Sequence, residues 1–135
     1  MDAAAPQAGV DLEWCIFRFV NDEIVDEKPL LLTGKSAFLF GTDAEVCNFT
    51  ITDESIASQH CVIQFRERFQ QRELTYEEQI ARGDMQTVVT ERSVKPFIMD
   101  LETEHGTKMN GEAVEPARYY EILDKDVLNL GTSEV

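Results

Sequence analysis

The fold is decided by the stretch Val94-Lys95-Pro96-Phe97-Ile98-Met99-Asp100-Leu101, followed by Gly106-Thr107-Lys108-Met109-Asn110-Gly111. The first run has the apolar character of a buried strand, and Asn-Gly between short strand-like pieces is a strong signal for a type I′ hairpin turn. Similar apolar runs recur along the chain, separated by polar turns that contain glycine. The predicted strands are Trp14–Val20, Pro29–Leu32, Ser36–Phe40, Phe49–Ile51, Cys61–Phe65, Phe97–Leu101, Thr107–Met109, Tyr119–Ile122 and Val127–Leu130. Many short strands with close turns predict an all-β protein, an antiparallel β-sandwich of about 10–11 strands.

The composition is that of one soluble domain. The chain has 135 residues, 43% of them hydrophobic, which is enough for a single core. No apolar run approaches the roughly 20 residues of a membrane span, and the first residues lack a basic signal-peptide head. We therefore expect an intracellular protein with no membrane contact. The net charge of −14 disfavours direct binding of nucleic acid, which requires cations against the phosphates.

Three cysteines, Cys15, Cys47 and Cys61, lie far apart in apolar stretches. An odd number with wide spacing predicts small core residues rather than disulfides or metal ligands. Nothing in the sequence predicts a cofactor, a metal site or a catalytic group.

The predicted organisation is a flexible tail over residues 1–12 followed by one domain over residues 13–135. Within that domain, residues 66–92 are charged and rich in glutamine, which predicts an exposed inserted loop. Thr75–Arg82 could form a helical turn, and Thr87–Thr90 could extend a strand. A sandwich of this kind should close with one more strand after Leu130, so we expect the chain to be a fragment whose last strand is cropped.

From about Trp14 onward the chain resembles the forkhead-associated (FHA) domains, which bind phosphothreonine peptides through loops at one end of a β-sandwich. The family skeleton is Gly-Arg, then Ser-x-x-His, then Asn-Gly-Thr-x-x-Asn. The resemblance implies that five matching residues build turns and tie loops together. These scaffold positions are Gly41, His60, Gly106, Thr107 and Asn110.

The positions that contact the ligand in the family carry different chemistry here. Thr42 stands in place of the arginine that holds phosphate, Ala57 in place of the serine, and His105 in place of the asparagine. Ser58 and Glu104 complete the implied set. An arginine donates charge-assisted hydrogen bonds worth about 1.5–3 kcal/mol each, which threonine cannot replace. The sequence therefore predicts a degenerate phosphothreonine site.

Within the family, three stretches resemble the branch of the Smad nuclear-interacting protein and the pre-mRNA leakage protein. They are Trp14–Glu23, Val94–Leu101 and Glu115–Glu121. The resemblance implies a non-catalytic interaction module, a nuclear subunit of a pre-mRNA retention and splicing assembly whose partners are proteins. A cytoplasmic location stays open.

Two other functions remain as hypotheses. A phosphothreonine reader with a rewired pocket would use Ser58, Lys108 and His105, with Lys35 as a further cation. An enzyme would depend on Asp100, Glu102 or His105, but carboxylates at a strand end are commonly solvated and no catalytic motif surrounds them. A phosphopeptide titration tests the first hypothesis. Turnover that survives mutation of Asp100, Glu102 and His105 would remove the second.

Overall fold

The computed structural model describes residues 2–7, 11–20, 22–83 and 86–132, and within them contains 13 strands and one helix. In chain order the elements are β1 (Asp2–Ala3), β2 (Cys15–Ile16), β3 (Phe19–Val20), β4 (Glu23–Ile24), β5 (Leu30–Leu31), β6 (Ala37–Gly41), β7 (Phe49–Thr50), β8 (Cys61–Glu73), α1 (Tyr76–Arg82), β9 (Val88–Asp100), β10 (Thr107–Met109), β11 (Glu112–Ala113), β12 (Tyr120–Glu121) and β13 (Leu128–Leu130).

Strand order confirms the predicted all-β sandwich. The largest sheet has the order β12-β9-β8-β6-β7, with β1 also paired to β8. A second sheet has the order β11-β10-β13, and two short ribbons pair β2 with β5 and β3 with β4. The antiparallel prediction is wrong for one pair, because β6 and β7 run parallel. Asn48 holds this crossover: its side chain accepts from the Leu39 amide at 2.8 Å and its own amide donates to the Leu39 carbonyl at 2.9 Å.

The hydrophobic core lies where side chains from both layers meet. Alternate residues of β8 and β9 point into it, as the twofold period of a strand requires. The buried cluster consists of Leu32, Phe38, Phe40, Ile56, Cys61, Ile63, Phe65, Val94, Ile98, Ile122 and Leu130. Trp14, Ile16, Met109 and Leu128 pack against it from the smaller sheet and ribbon. This core fixes the ends of β6, β8, β9 and β10, where the candidate site is built.

The first residues differ from the flexible tail that we predicted. Asp2 and Ala3 pair antiparallel with Glu67 and Arg66 of β8, and the Ala4 amide donates to the Phe65 carbonyl at 3.1 Å. The physical reason is that β8 continues past the end of β6, which leaves backbone groups on its edge to be satisfied. A strand of two residues gives almost no hydropathy signal, so composition suggests only a tail.

Residues 66–92 form a long hairpin, and the prediction of an inserted loop is wrong for most of them. β8 and β9 pair continuously from Cys61 opposite Asp100 to Glu73 opposite Val88. Both faces of the outer part of this hairpin carry polar side chains, so the alternation that marks a half-buried strand is missing from the sequence. The helical turn and the strand extension predicted within this segment are confirmed by α1 and β9.

Helix α1 closes the tip of the hairpin with a full capping box. Thr75 accepts from the Glu78 amide at 3.2 Å, and the Glu78 carboxylate accepts from the Thr75 amide at 3.1 Å. Gly83 ends the helix at φ 70°, the left-handed conformation that favours glycine. Arg72 of β8 donates to the same Glu78 carboxylate at 2.8 Å and to Glu91 of β9 at 2.7 Å. One guanidinium thus joins the helix to both strands.

This contact predicts a local pH dependence. The Arg72 hydrogen bond, with a further one from the Thr75 amide, lowers the pKa of Glu78 from 4.5 to about 2. Because the folded-state pKa is depressed, the stabilisation of α1 is fully present above pH 4.5 and is lost as the pH falls towards 2. In Arg72→Gln, an NMR titration of the Glu78 carboxyl carbon should show its pKa rising towards the ordinary value. Arg118→Gln, which breaks a separate surface pair with Glu115, should leave it unchanged.

Two smaller predictions have opposite outcomes. The type I′ turn is confirmed, since Asn110 and Gly111 have φ of 53° and 83° between paired β10 and β11. The cysteines are free, but only Cys61 is buried, and its burial raises the pKa of its thiol. Cys15 is exposed, so its assignment to the core is wrong. It lies in a ribbon of two strands that covers only one side of it.

Candidate functional site

The candidate site is the end of the sandwich where three loops meet, over residues 42–48, 51–60 and 101–106, which we call the apex. His60 lies at its base and is completely buried, at 0% exposure. Its Nδ1 accepts from the Ala57 amide at 3.1 Å, and its Nε2 lies 2.8 Å from the Gly106 carbonyl. An acceptor at Nδ1 requires the proton on Nε2, so the neutral ring donates to Gly106. The imidazole therefore ties the second loop to the third.

The third loop is folded around a buried carboxylate. Asp100 Oδ1 accepts from the Thr103 hydroxyl at 2.7 Å and from the Thr107 hydroxyl at 2.8 Å, while Oδ2 accepts from the Thr103 amide at 3.1 Å. The Thr103 hydroxyl also accepts from the Gly106 amide at 3.1 Å. The expectation of a solvated carboxylate is wrong for Asp100, because three donors replace water around it.

Thr103 was missed by sequence reasoning. The signal that could have found it is the spacing of an aspartate and a threonine three residues apart at a strand end. Short polar side chains in such positions bond to nearby backbone and to each other.

The first loop packs directly on the second, and glycine at position 41 makes this possible. The Thr42 amide donates to the Ala57 carbonyl at 3.1 Å, and the Asp43 amide donates to the Ser58 carbonyl at 3.2 Å. A Cβ atom on Gly41 would lie 2.2 Å from the Ser58 carbonyl oxygen, which no side chain allows. The approach of the two loops thus depends on a residue without a side chain.

A fourth segment completes the apex and was not foreseen from the sequence. The Gly131 amide donates to the Gly106 carbonyl at 2.8 Å, and the Thr132 amide donates to the Ser55 hydroxyl at 2.8 Å. A Cβ on Gly131 would lie 2.5 Å from the Ser55 carbonyl oxygen. Residues that follow β13 therefore close the side of the apex next to the second loop.

The structure brings most of the predicted site residues together. Thr42, Ala57 and Ser58 are neighbours through the backbone bonds just described, and Glu104 and His105 are exposed on the third loop. Gly106 and Thr107 lie beneath them. Asn110 is elsewhere, at the far end of β10, where its side chain donates to Asp126 at 3.0 Å and accepts from the Val127 amide at 2.9 Å.

The surface of the apex is acidic. An open depression of about 490 Å³ is lined by Asp53, Glu54, Ser55, His105 and Thr132. Two of these residues are carboxylates and none is arginine or lysine. Lys108, one of the cations considered for a rewired pocket, lies within β10, paired with Ala113 and Asn129. An anion entering this depression would meet like charge.

Two further observations concern metal ions and membrane-spanning helices. Over residues 2–7, 11–20, 22–83 and 86–132, no group of three or more histidine, cysteine, aspartate or glutamate residues is placed to hold a metal ion. In the same part of the chain, no helix has the length and apolar character to cross a membrane.

Comparison with known proteins decides the family. The sequence model of the FHA domain matches residues 31–131. The chain belongs to the FHA domain family. The family resemblance that the sequence indicated from about Trp14 onward is therefore confirmed. FHA domains are protein-interaction modules.

Relatives with the names of the branch that the sequence suggested are among the matches. Smad nuclear-interacting protein 1 of Mus musculus is 34% identical over 120 residues, which is 89% of this chain and 27% of that protein. Pre-mRNA leakage protein 1 of Saccharomyces cerevisiae is 30% identical over 117 residues, 76% of this chain and 47% of that protein. The chain therefore spans less than half the length of these curated relatives.

A solved structure extends the similarity to the fold. The structure of the yeast Pml1 splicing factor and its integration into the RES complex superposes with a TM-score of 0.66 at 26% identity. The superposition covers 96% of this chain and 83% of that one. The similarity includes residues that precede the matched family region, where the short ribbons of this FHA domain lie.

Proposed function

We propose that this FHA domain is a non-catalytic protein-interaction module whose apex does not select phosphothreonine, and that it works within a nuclear pre-mRNA splicing assembly. The observation that carries the proposal is the contrast between the base of the apex and its rim. The base is intact, with His60 tying the second loop to the third and Gly41 admitting the first loop. The rim presents Thr42, Ala57 and His105 where phosphate and the peptide would be held.

Electrostatics support the loss of phosphate selection. A phosphothreonine carries close to two negative charges at neutral pH and needs charge-assisted donors to offset its desolvation. Asp53 and Glu54 line the depression beside His105, and Asp43 follows Thr42 in the first loop. A partner that presents neutral or basic side chains suits this rim better than a phosphorylated one.

Two of the groups that could perform acid–base chemistry, Asp100 and His60, are engaged in the fold. The Asp100 carboxylate is surrounded by three donors, and both nitrogens of His60 have partners. Neither group is exposed to a substrate. The buried network therefore supports a structural role for both residues and an interaction function for the domain.

The assembly is inferred from the relatives. Proteins named for nuclear interaction and pre-mRNA leakage are identical to this chain at about a third of the aligned positions, and the solved Pml1 structure concerns its integration into the RES complex. Full-length protein isolated from its native cells after nuclease treatment should carry splicing proteins, detected by mass spectrometry. A set of co-purified proteins without splicing factors would contradict this part of the proposal.

The apex is tested by calorimetric titration with matched threonine and phosphothreonine peptide pools. We expect the wild type to show no preference for phosphate, because no arginine holds it. The triple variant Thr42→Arg, Ala57→Ser, His105→Asn restores the family residues on an intact base and should gain at least about a tenfold preference. That gain corresponds to one charge-assisted hydrogen bond of about 1.5 kcal/mol.

Thr90→Arg provides the control, since it adds the same charge on β9, ten residues from Asp100 and about 33 Å along the strand. This control variant should bind the threonine and phosphothreonine peptides with equal affinity. Micromolar phosphopeptide binding by the wild type would overturn the proposal and favour a rewired pocket that uses Ser58, Lys108 and His105.

A further inference from the structure

The outer face of the large sheet carries cations on a chain of strongly negative charge. Opposite residues of an antiparallel pair share a face, and Phe65 opposite Pro96 points into the core. The next pair, Arg66 opposite Lys95, therefore points outward, and so does Arg68, which lies two pairs further on. Both faces of the hairpin are solvent-accessible beyond Arg68, but Arg66, Arg68 and Lys95 all lie on the same face.

Arg66 is held in place by an aromatic ring. Its guanidinium carbon lies 4.4 Å from the centroid of the Tyr119 ring, a cation–π contact. The Tyr119 ring in turn packs edge-to-face on Phe97, with centroids 6.3 Å apart. Phe97 is buried although it lies outside the core cluster, so this stack is a built feature of the outer face. We call Arg66, Arg68, Lys95 and Tyr119 the cationic face.

One carboxylate lies close to both Arg68 and Lys95. Glu121 of β12 lies opposite Phe97, and its Oε1 is 3.8 Å from Arg68 and 3.9 Å from Lys95. Both distances exceed those of a hydrogen bond, so the donors of Arg68 and Lys95 are not used up by this contact. Arg68 and Lys95 together carry one positive charge more than the Glu121 carboxylate offsets, while the whole chain carries −14.

We propose that the cationic face binds an acidic peptide segment of a partner protein. Charge complementarity identifies the ligand: carboxylates of an extended segment can approach Arg68 and Lys95 on either side of Glu121. Arg66 loses little side-chain freedom on binding because Tyr119 already orients it.

The same observations disfavour RNA at this face. One face of the Tyr119 ring is already occupied by Arg66, so that face is not a platform for a base. A phosphate chain would also extend beyond three cations onto an acidic surface, whereas a short acidic segment need match only the cations present.

This second surface is separate from the apex. Arg68 lies seven residues along β8 from Cys61, where the second loop of the apex ends, which is about 23 Å of extended strand. Binding at the cationic face therefore does not depend on whether the apex recognises phosphate. Failure of one proposal leaves the other standing.

The test uses fluorescence anisotropy with a labelled dodecapeptide of alternating aspartate and glutamate. A matched peptide of asparagine and glutamine and a single-stranded oligouridine serve as rival ligands. The variant Arg68→Gln, Lys95→Gln removes two charges from the cationic face. Lys28→Gln, Lys125→Gln removes the same charge from exposed positions elsewhere, and Arg68→Lys, Lys95→Arg keeps the charge on the face.

We expect the wild type to bind the acidic peptide in preference to the neutral one, with weaker binding as salt rises. Arg68→Gln, Lys95→Gln should lose about tenfold in affinity, the equivalent of about 1.4 kcal/mol. The variant that keeps the charge should bind like the wild type, which separates loss of charge from loss of fold. Equal losses in the two neutralised variants, tighter binding of oligouridine, or no binding of the acidic peptide by the wild type would each overturn the proposal.

Discussion

Replacing His60 by alanine should lower the free energy of unfolding by about 3 kcal/mol, the sum of a cavity and broken hydrogen bonds. The ring is fully buried, and its loss leaves the Ala57 amide without its acceptor. The Gly106 carbonyl keeps the bond from the Gly131 amide, so the damage concentrates on the second loop. Urea unfolding measures the loss, and amide hydrogen exchange should show faster exchange at Ala57 than at Gly131.

The chain contains one other histidine, which makes the control direct. His105 is exposed on the third loop of the apex, so His105→Ala should change stability by less than about 0.5 kcal/mol. If the two variants lose equal stability, His60 is not the residue that ties the loops together. If His60→Ala unfolds with wild-type stability, the base of the apex is held by the backbone alone.

The sequence was most informative where local and tertiary preferences agree. Thr107–Met109 was predicted as a strand and Asn110-Gly111 as a hairpin turn, and both occur in the structure. A helical turn was predicted within Thr75–Arg82, where α1 lies. In these segments the signal lies within a few residues of the chain. The signal for such elements can therefore be read without knowledge of their distant partners.

The hairpin formed by β8 and β9 shows why other elements were missed. Beyond Arg68 its strands expose both faces, so the charged residues that suggested a loop are cross-strand and helix partners instead. Arg72 illustrates this, since Glu78 and Glu91 are six and 19 residues away in the chain. Pairing at that distance is a property of the fold, and composition does not reveal it.

The residues of the candidate site also fall into two groups, those that the sequence identified and those that depend on distant contacts. His60 and Gly41 are recognisable from the family skeleton, but Asp100 was assigned to solvent because a carboxylate at a strand end is usually hydrated. Its burial depends on Thr103 and Thr107, which donate to it only after the third loop has folded. The closure by Thr132 depends on Ser55, which is 77 residues away.

Replacing Phe65 by alanine should cost about 4 kcal/mol, the largest loss that we expect from a single change. Phe65 has 0% exposure and packs edge-to-face on Phe38, with ring centroids 6.1 Å apart. Phe69 lies four residues further along the same strand, on the same face, but with 65% exposure. Phe69→Ala removes the same atoms from water-accessible surface and should cost less than about 0.5 kcal/mol.

The comparison of these two phenylalanines locates the boundary of the core along β8. Urea unfolding of both variants gives the two free energies, and the difference between them should exceed about 3 kcal/mol. A loss in Phe69→Ala close to that in Phe65→Ala would mean that the Phe69 side chain is packed as tightly as that of Phe65. The core would then extend along β8 into the outer hairpin. A small loss in both would mean that Phe65 does not anchor the sheet. The expected contrast instead means that the sandwich ends near Phe65 and that the outer hairpin, with its capped helix, is supported by β-pairing and by the contacts of Arg72.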